Sequence, residues 1–355
     1  MGLGPSLDTW HRHVGITVTA NERPTQLDWP AHPVFPSHGH VVRRRPFDQI
    51  VAKHAVAAGA QLLEEHEAIE PIAERGFVRG AMVQSPGGRV AIRARYVLVA
   101  DGGNSRFGRL LGTLRRTDWP YAIGVRSYWE TPRDCDDHLE LGLDLHDRNG
   151  NVVPGYGWVF PLGDGTANVG VGVLSTAREF KSINPTHVLD NFSGRIAERW
   201  GLDPSHPVGS IATGRIPMGG SVAPCAGPTF LVIGDAAAAA SPFSGDGIGA
   251  AFETARVAAD VLHEALTSDD ATVLQRYPKL IDQQYGDHQA AGRLFARVVG
   301  RPALARELTR VVVHSRSLME WSVRITAGML RPDELGPAEA AYRAISLIAR
   351  IAPGV

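Results

Sequence analysis

Two segments of this 355-residue chain carry residue types suited to gripping an electron-rich ligand. In one, the apolar run Phe230-Leu231-Val232-Ile233 leads into Gly234-Asp235, five alanines, Ser241-Pro242 and Gly245-Asp246-Gly247-Ile248. A carboxylate at a strand end, here Asp235, can accept hydrogen bonds from sugar hydroxyls. Gly245 and Gly247 would let backbone N–H groups at a helix N-terminus approach the edge of an electron-rich ring. Ile248, Phe252, Ala255, Ala259 and Leu262 then mark one helix face, so the order is strand, loop, helix. The same residues would serve equally as a Gly/Ala-rich packing contact with Asp235 as a helix cap. Gly245-x-Gly247-x-x-Ala250 also fits the dinucleotide fingerprint literally, but about a dozen residues separate it from its strand, and that fingerprint needs the strand to run straight into the turn.

The other segment follows a buried strand expected over Tyr96 to Ala100: Asp101-Gly102-Gly103-Asn104-Ser105, then Gly108-Arg109 and Leu111-Gly112. Alone it reads as an ordinary β-turn. An Asp-Gly turn after one buried strand and a Gly-Asp turn after another, about 130 residues apart with a β-rich stretch between, is far more specific than either by itself.

A third feature is Tyr156, Trp158 and Phe160, followed by Pro161. Alternation puts the three rings on one face of a strand, where they would either line a slot for an apolar chain or form a core stripe. The pairs His11-x-His13 and His38-x-His40 have no adjacent Cys or carboxylate to complete a site, so they read as surface histidines and no metal is expected. No side chain declares itself as the catalytic acid or base, and Tyr156 is assigned to the pocket only.

These residues need elements to position them. A helix is expected from Phe47 to Gly59, a short strand at Leu62-Leu63, and a hairpin of Phe77 to Gln84 with Arg89 to Arg93 around Pro86-Gly87-Gly88. Residues 1 to 46, rich in Pro, His and Gly, read as irregular. Between Tyr121 and Ile216 the β-rich runs read as an antiparallel sheet domain, and from Tyr285 onward the chain is helical. The expected class is α/β, with a discontinuous ligand-binding domain (1–112 and 217–285), an inserted sheet domain (113–216) and a helical region (286–355). A formal charge of -1 disfavours a nucleic-acid partner, two cysteines fit a reducing, cytoplasmic compartment, and no stretch is apolar enough to span a membrane.

With both turns in place the sequence resembles the FAD-dependent family that includes aromatic hydroxylases and geranylgeranyl reductases, and Arg44 to Asp48 supplies a further Arg-x-x-Phe-Asp element. Pro154 to Pro161 resembles the Tyr-x-Trp-x-Phe-Pro signature of geranylgeranyl reductases, Asn168 to Gly172 continues the likeness, and the menaquinone side-chain reductases match from Leu3 to about Arg331. The resemblance implies FAD as cofactor, bound by Arg44, Asp101, Gly102, Gly234, Asp235, Pro242, Gly245, Gly247 and Ile248. In it Asp235 binds the ribityl chain, Gly245 and Gly247 face the flavin, and Tyr156, Trp158, Phe160 and Pro161 line the pocket of an isoprenoid or prenylquinone substrate. The family often has Arg where this chain has Gly108.

The family begins with a strand, a Gly-x-Gly-x-x-Gly turn and a helix that grip the FAD diphosphate, and nothing before Arg44 supplies them, so the chain reads as N-terminally truncated. Losing two or three charge-assisted hydrogen bonds at roughly 1.5–3 kcal/mol each would lower FAD affinity by about two to six powers of ten. The implied reaction is reduction of an isoprenoid C=C bond, with NAD(P)H or a small redox protein reducing the flavin. The alternatives are an aromatic monooxygenase and a non-catalytic lipid-binding remnant. Between 293 and 331 eight arginines face two glutamates, a net +6 that fits peripheral contact with anionic lipid as well as it fits a solvated helical face.

Overall fold

The computed structural model of the protein describes residues 2–20, 22–331, 334 and 336–351; the outermost positions of the 1–112 and 286–355 stretches lie outside the described residues. Its strands run in chain order as β1 (Arg12–His13), β2 (Gly15–Ala20), β3 (Arg23–Asp28), β4 (Gly39–His40), β5 (Glu67–Glu74), β6 (Phe77–Ser85), β7 (Gly88–Arg93) and β8 (Val97–Val99). They continue as β9 (Leu114–Arg115), β10 (Tyr121–Glu130), β11 (His138–Gly142), β12 (Gly155–Pro161), β13 (Thr166–Leu174), β14 (Val208–Pro217), β15 (Val222–Ala223) and β16 (Phe230–Val232). The helices are α1 (Gly4–Leu7), α2 (Arg44–Ala57), α3 (Arg106–Leu110), α4 (Pro185–Trp200), α5 (Ile248–Ser268), α6 (Tyr277–Val299), α7 (Pro302–Val313), α8 (Arg316–Thr326) and α9 (Pro337–Ile351).

The chain forms two compact units. One comprises Met1–Leu62, Ile123–Gly214 and Val298–Ala340, the other Leu63–Ala122, Arg215–Arg297 and Ala341–Val355. The first is built on a seven-stranded sheet of order β14-β10-β13-β12-β11-β2-β3. It is antiparallel where β12 pairs with β11 and β13 and where β2 pairs with β3, but β11 and β2 run parallel, so the sheet is mixed rather than purely antiparallel. Strands β2 and β3 come from the stretch expected to be irregular. Its Pro, His and Gly content hides the alternation of Ile16 with Val18, and pairing on both sides of β2 holds it in the sheet.

One face of the sheet is the core. Val125, Val159, Val169 and Val171 are fully buried there against Val188, Leu189, Phe192, Ile196 and Trp200 of α4. That helix is delimited locally: Asn184 accepts from Thr186 N, Pro185 occupies the first turn, and Gly201 ends it at φ 61°. A Cβ on Gly142 or Gly157 would lie 2.7 or 2.5 Å from the Phe192 ring, so both glycines open the hollow that seats it. Each large side chain buried in this layer contributes about 1.5–3 kcal/mol before ordering costs.

In the second unit β5, β6 and β7 form a three-stranded sheet, while β8 and β16 pair in parallel. The expected strand at Leu62-Leu63 is not formed. Both leucines are exposed, Glu65 turns the chain at φ 57°, and the strand begins at Glu67. The strand expected over Tyr96 to Ala100 is present but buried on one face only, with Val99 inside and Leu98 41% exposed.

The short β1–β4 ribbon, with His13 opposite Gly39, corrects the surface reading of the histidines. His13 is buried and accepts at Nδ1 from Trp29 Nε1 at 2.9 Å. Burial first, then His11, His40, His38 and His138, lower its pKa from 6.5 to about 4. Among the described residues no group of three or more His, Cys, Asp or Glu is placed to hold a metal ion. Because the folded state disfavours the imidazolium, the unfolded chain binds the extra proton between these two values. Stability present above pH 6.5 is therefore lost progressively as pH falls towards 4, by about 3 kcal/mol. Urea midpoints measured between pH 4 and 7 should fall with acidity in the native protein and fall much less in His13→Gln.

Candidate functional site

The parallel β8–β16 pair brings the two turns together. Val99 lies opposite Val232 and Ile233 N donates to Val99 O at 3.0 Å, so Asp101-Gly102 and Gly234-Asp235 leave the same, carboxyl edge of the pair. In parallel sheets that edge is where ligands bind. Gly234 turns the chain at φ 57° and donates its N–H to Thr254 Oγ1 of α5 at 3.0 Å. A Cβ there would sit 3.3 Å from that of Ala251, so the missing side chain lets α5 pack close behind the turn.

The loop from Ser241 to Gly247 is closed on itself: Gly245 N donates to Ser241 O at 2.8 Å and Ser241 N to Asp246 O at 2.9 Å. Gly245 needs φ 73°, and a Cβ on Gly247 would stand 3.0 Å from Asp235 Oδ1. The structure therefore juxtaposes Asp235 and Gly247, with Ile248 exposed at the start of α5 and its N–H donated to Asp246 Oδ1. Pro242 is buried instead, seated on Gly292 of α6, where a Cβ would come within 2.3 Å of its ring. It braces the loop from behind, as do Ser241 Oγ, 2.9 Å from His288 Nε2, and Phe243, packed in tilted contact with the His288 and Phe295 rings. Burial lowers the His288 pKa, which favours the neutral ring in this brace. Thr254, His288 and Gly292 had no readable signal in sequence because each acts through a contact made across long chain separations.

Asp101 is engaged locally: its Oδ2 accepts from Phe107 N at 2.9 Å and so caps α3. Gly102, at φ 77°, turns the chain, and its carbonyl accepts from Ser105 N. Gly108, where the family often carries Arg, is buried, and a Cβ there would lie 2.2 Å from Ser105 Oγ and 3.0 Å from Thr113 Oγ1. A side chain at 108 would have to displace the Ser105 hydroxyl. Arg109 is exposed and donates to Asn104 O. Arg44, in the other unit, pairs with Asp48 at 3.1 Å along α2, whereas its neighbour Arg43 reaches Asp164 at 2.8 Å and stacks 4.4 Å from the Tyr128 ring.

The aromatic strand lies in the first unit, and its geometry decides between slot and core stripe. Val159 on β12 is fully buried under α4, while Tyr156, Trp158 and Phe160 point to the other face and are half-buried. Their centroids follow one another at 6.0 and 6.1 Å. Pro161, one residue out of step, falls on the core face and is buried, so it does not join them. Room for the rings comes from β13, where Gly170 is opposite Trp158 and a Cβ would come within 2.2 Å of the indole, and Asn168 accepts from Trp158 Nε1 at 2.9 Å. Leu139 and Leu141 of β11 extend the apolar surface towards Ile16, Val18 and, from α8, Met319 and Val323.

The basic stretch is smaller at the surface than its composition implies. Arg293 is buried, Arg297 and Arg324 are half-buried, and Arg331 is bonded to Ala31 O. Arg310 and Arg316 pair with Glu307 and Glu320. What remains exposed on α7 is an apolar stripe, Leu304, Leu308 and Val311, beside Arg301, Arg306 and Arg310. No helix among the described residues is long and apolar enough to cross a membrane.

Comparison with known proteins bears on these features directly. A family model described as geranylgeranyl reductase catalytic domain matches residues 149–201, the stretch that holds the aromatic strand, its partner β13 and α4. A menaquinone reductase of Mycobacterium tuberculosis is 31% identical over 334 residues, 94% of this chain and 79% of that protein. The chain belongs to the geranylgeranyl reductase family. Within it, a menaquinone reductase of Mycolicibacterium smegmatis is 29% identical over 99% of this chain and 84% of its own, and a digeranylgeranylglycerophospholipid reductase of Methanosarcina acetivorans is 31% identical over 66% of this chain and 56% of its own. Among solved structures, a geranylgeranyl bacteriochlorophyll reductase-like protein from Thermoplasma acidophilum has the same fold, with a TM-score of 0.75, 23% identity and coverage of 97% of this chain and 87% of that one. A flavin-dependent brominase shares it at a TM-score of 0.72 and 18% identity, covering 99% of this chain and 86% of its own. The mixed α/β architecture is thus one that reductases and halogenases hold in common.

The crowding at Gly108 makes a measurable claim about this family member. Gly108→Ala should cost about 1–3 kcal/mol in chemical denaturation, and Ser105→Ala in the same chain should recover much of it, because the clash is with Ser105 Oγ.

Proposed function

We propose that the protein is an FAD-dependent oxidoreductase that reduces an isoprenoid carbon–carbon double bond, with the prenyl side chain of a quinone such as menaquinone as the substrate class. The observation that carries this reading is the aromatic stripe. In a chain of the geranylgeranyl reductase family, Tyr156, Trp158 and Phe160 face away from the core, on a sheet surface whose further apolar residues suit a hydrocarbon chain. In this reading residues 1–112 and 217–285 form the flavin-binding part, the former lending β2 and β3 to the sheet; 113–216 form the substrate sheet and 286–355 the helical region.

The residues at the β8–β16 edge fit a flavin. Gly247 leaves open a space beside Asp235 that a Cβ would fill, and Gly102, Gly234 and Gly245 shape the two turns. Asp235 would accept from the ribityl hydroxyls, Gly245, Gly247 and Ile248 would present backbone to the ring, and Pro242 would hold their loop from behind. Asp101, already the cap of α3, would act mainly by fixing its turn, and Arg44, the further residue implied for FAD, is paired with Asp48. Bound and reduced, the flavin supplies the hydride that one alkene carbon receives while a proton goes to the other. Trp158, fixed by Asn168 and Gly170, would orient the chain and exclude water from it. NAD(P)H or a small redox protein would be the electron source, and the apolar stripe of α7 with its arginines would rest on an anionic membrane surface from which a lipid substrate is drawn.

Incubation of the purified protein with menaquinone, FAD and a chemical reductant under nitrogen tests the reading by mass spectrometry. The expected product, after the quinone ring is reoxidised in air, is two mass units heavier for each side-chain double bond reduced. Trp158→Ala should raise KM about tenfold, the worth of one buried aromatic contact, with a smaller effect on kcat. In a parallel incubation in air with an aromatic substrate, oxygen-dependent hydroxylation would instead support the monooxygenase alternative, and flavin-independent lipid binding without turnover would support a binding remnant.

A further inference from the structure

The second unit holds a group of cations that neither the flavin turns nor the aromatic strand uses. Arg293 and Arg297 stand one turn apart on α6; Arg116 and Trp119 lie in the segment after β9, and Ser221 lies just before β15. They converge. The Arg293 guanidinium sits 3.9 Å from the centroid of the Trp119 ring and that of Arg116 sits 4.6 Å from it. Arg116 N donates to Ser221 O at 2.7 Å, and Arg297 Nη2 donates to Asp118 O at 3.3 Å.

The group is poorly compensated. Three guanidiniums, Arg116, Arg293 and Arg297, stand against two carboxylates: Asp118, which Arg116 already holds at 2.7 Å, and Asp282, whose charge acts on Arg293. Arg293 is only 8% exposed and its Nη1 is spent on Gly219 O at 2.6 Å; Ser221 is 1% exposed. Four buried donors have no partner: Trp119 Nε1, Ser221 Oγ, Arg293 Nε and Arg297 Nη1. A buried donor left unmade costs about 1–3 kcal/mol, more on a charged group, and native proteins rarely leave four such atoms in one cluster. An anion would satisfy them and balance the charge at once. Four donors carried on surplus positive charge suit a multiply charged tetrahedral oxyanion, whose oxygens point in several directions, better than a planar, singly charged carboxylate. Burial first, then the neighbouring Arg297 and Arg116, lower the Arg293 pKa to about 10 against the opposing charge of Asp282.

We propose that Arg116, Trp119, Ser221, Arg293 and Arg297 form a binding site for a phosphate-class oxyanion. The site stands apart from the flavin reading in its residues. It adjoins that reading in space, because Gly219 N and Gly220 N donate to Ala240 O and Ala238 O, on the stretch between Asp235 and Pro242. Phosphate chemistry of this kind could come from a free anion or from the headgroup of a prenyl lipid.

Titration calorimetry of the full chain with inorganic diphosphate and with geranyl diphosphate, each against sodium chloride of equal ionic strength, tests the site. The expected result is saturable binding in buffer without flavin, weakened about tenfold to a hundredfold in Arg297→Gln and several-fold in Trp119→Phe, which removes one N–H and keeps the ring. Equal affinities for the two ligands would identify a free anion, and geranyl diphosphate bound more than tenfold tighter would identify a lipid headgroup. No heat beyond the chloride control, or affinities unchanged in both variants while circular dichroism shows them folded, would overturn the proposal. Failure of flavin binding would leave these outcomes unaffected.

Discussion

The pairing of two three-residue strands, β8 and β16, is the constraint on which the candidate flavin site depends. Their residues are far apart in sequence, yet Val97–Val99 and Phe230–Val232 run parallel in register, and so both turns must emerge from one edge. Leu231 and Val232 are fully buried and Val99 nearly so, and a slip of one residue is costly because it would bring Leu98's exposed position into the place of the buried Val99. Position is thus fixed by apolar packing, and the polar residues at the ends inherit it. The glycines around them serve two purposes. Gly234 and Gly245 allow backbone angles that other residues resist, while Gly108 and Gly292 let neighbours approach that any side chain would hold off.

The sheet of the first unit applies the same logic to a different end. Its two faces are divided by the two-residue period: valines and α4 on one, aromatics on the other. A tryptophan can lie flat on this second face only because the residue opposite it is glycine, and its indole N–H is satisfied by Asn168. The face is therefore apolar but ordered, which is what separates a surface suited to a flexible hydrocarbon from a patch that would simply collapse onto a neighbour.

Much of this was legible in the sequence because it is encoded locally. The strand, turn and helix from Thr229 to Leu262, the hairpin around Pro86 to Gly88 and the alternation of Tyr156, Trp158 and Phe160 all follow from short-range period and turn chemistry. Even the misplacement of Pro161 was open to the same rule, since an odd-numbered residue cannot share a strand face with three even-numbered ones. What stayed hidden depends on partners distant in the chain. Strand β2 holds β-branched Ile16, Thr17, Val18 and Thr19, but they lie in a Pro-, His- and Gly-rich stretch and are held by pairing with β3 and the distant β11; Asp101 is a free carboxylate in sequence and a helix cap in space; Arg293 counts as a surface charge until Trp119 and Gly219 enclose it. His13, one of a pair that reads as exposed, is buried by a ribbon that no periodicity announces.

Direct titration of the purified protein with FAD, followed by the flavin absorbance and fluorescence, tests the central claim that the β8–β16 edge holds the cofactor. The account predicts a saturable spectral change, weakened about tenfold to a hundredfold by Asp235→Ala, the loss of a charged acceptor, and left unchanged by Trp158→Ala on the sheet of the other unit. A flavin signal that rises linearly without saturation, or equal affinities for the native chain and Asp235→Ala, would contradict it.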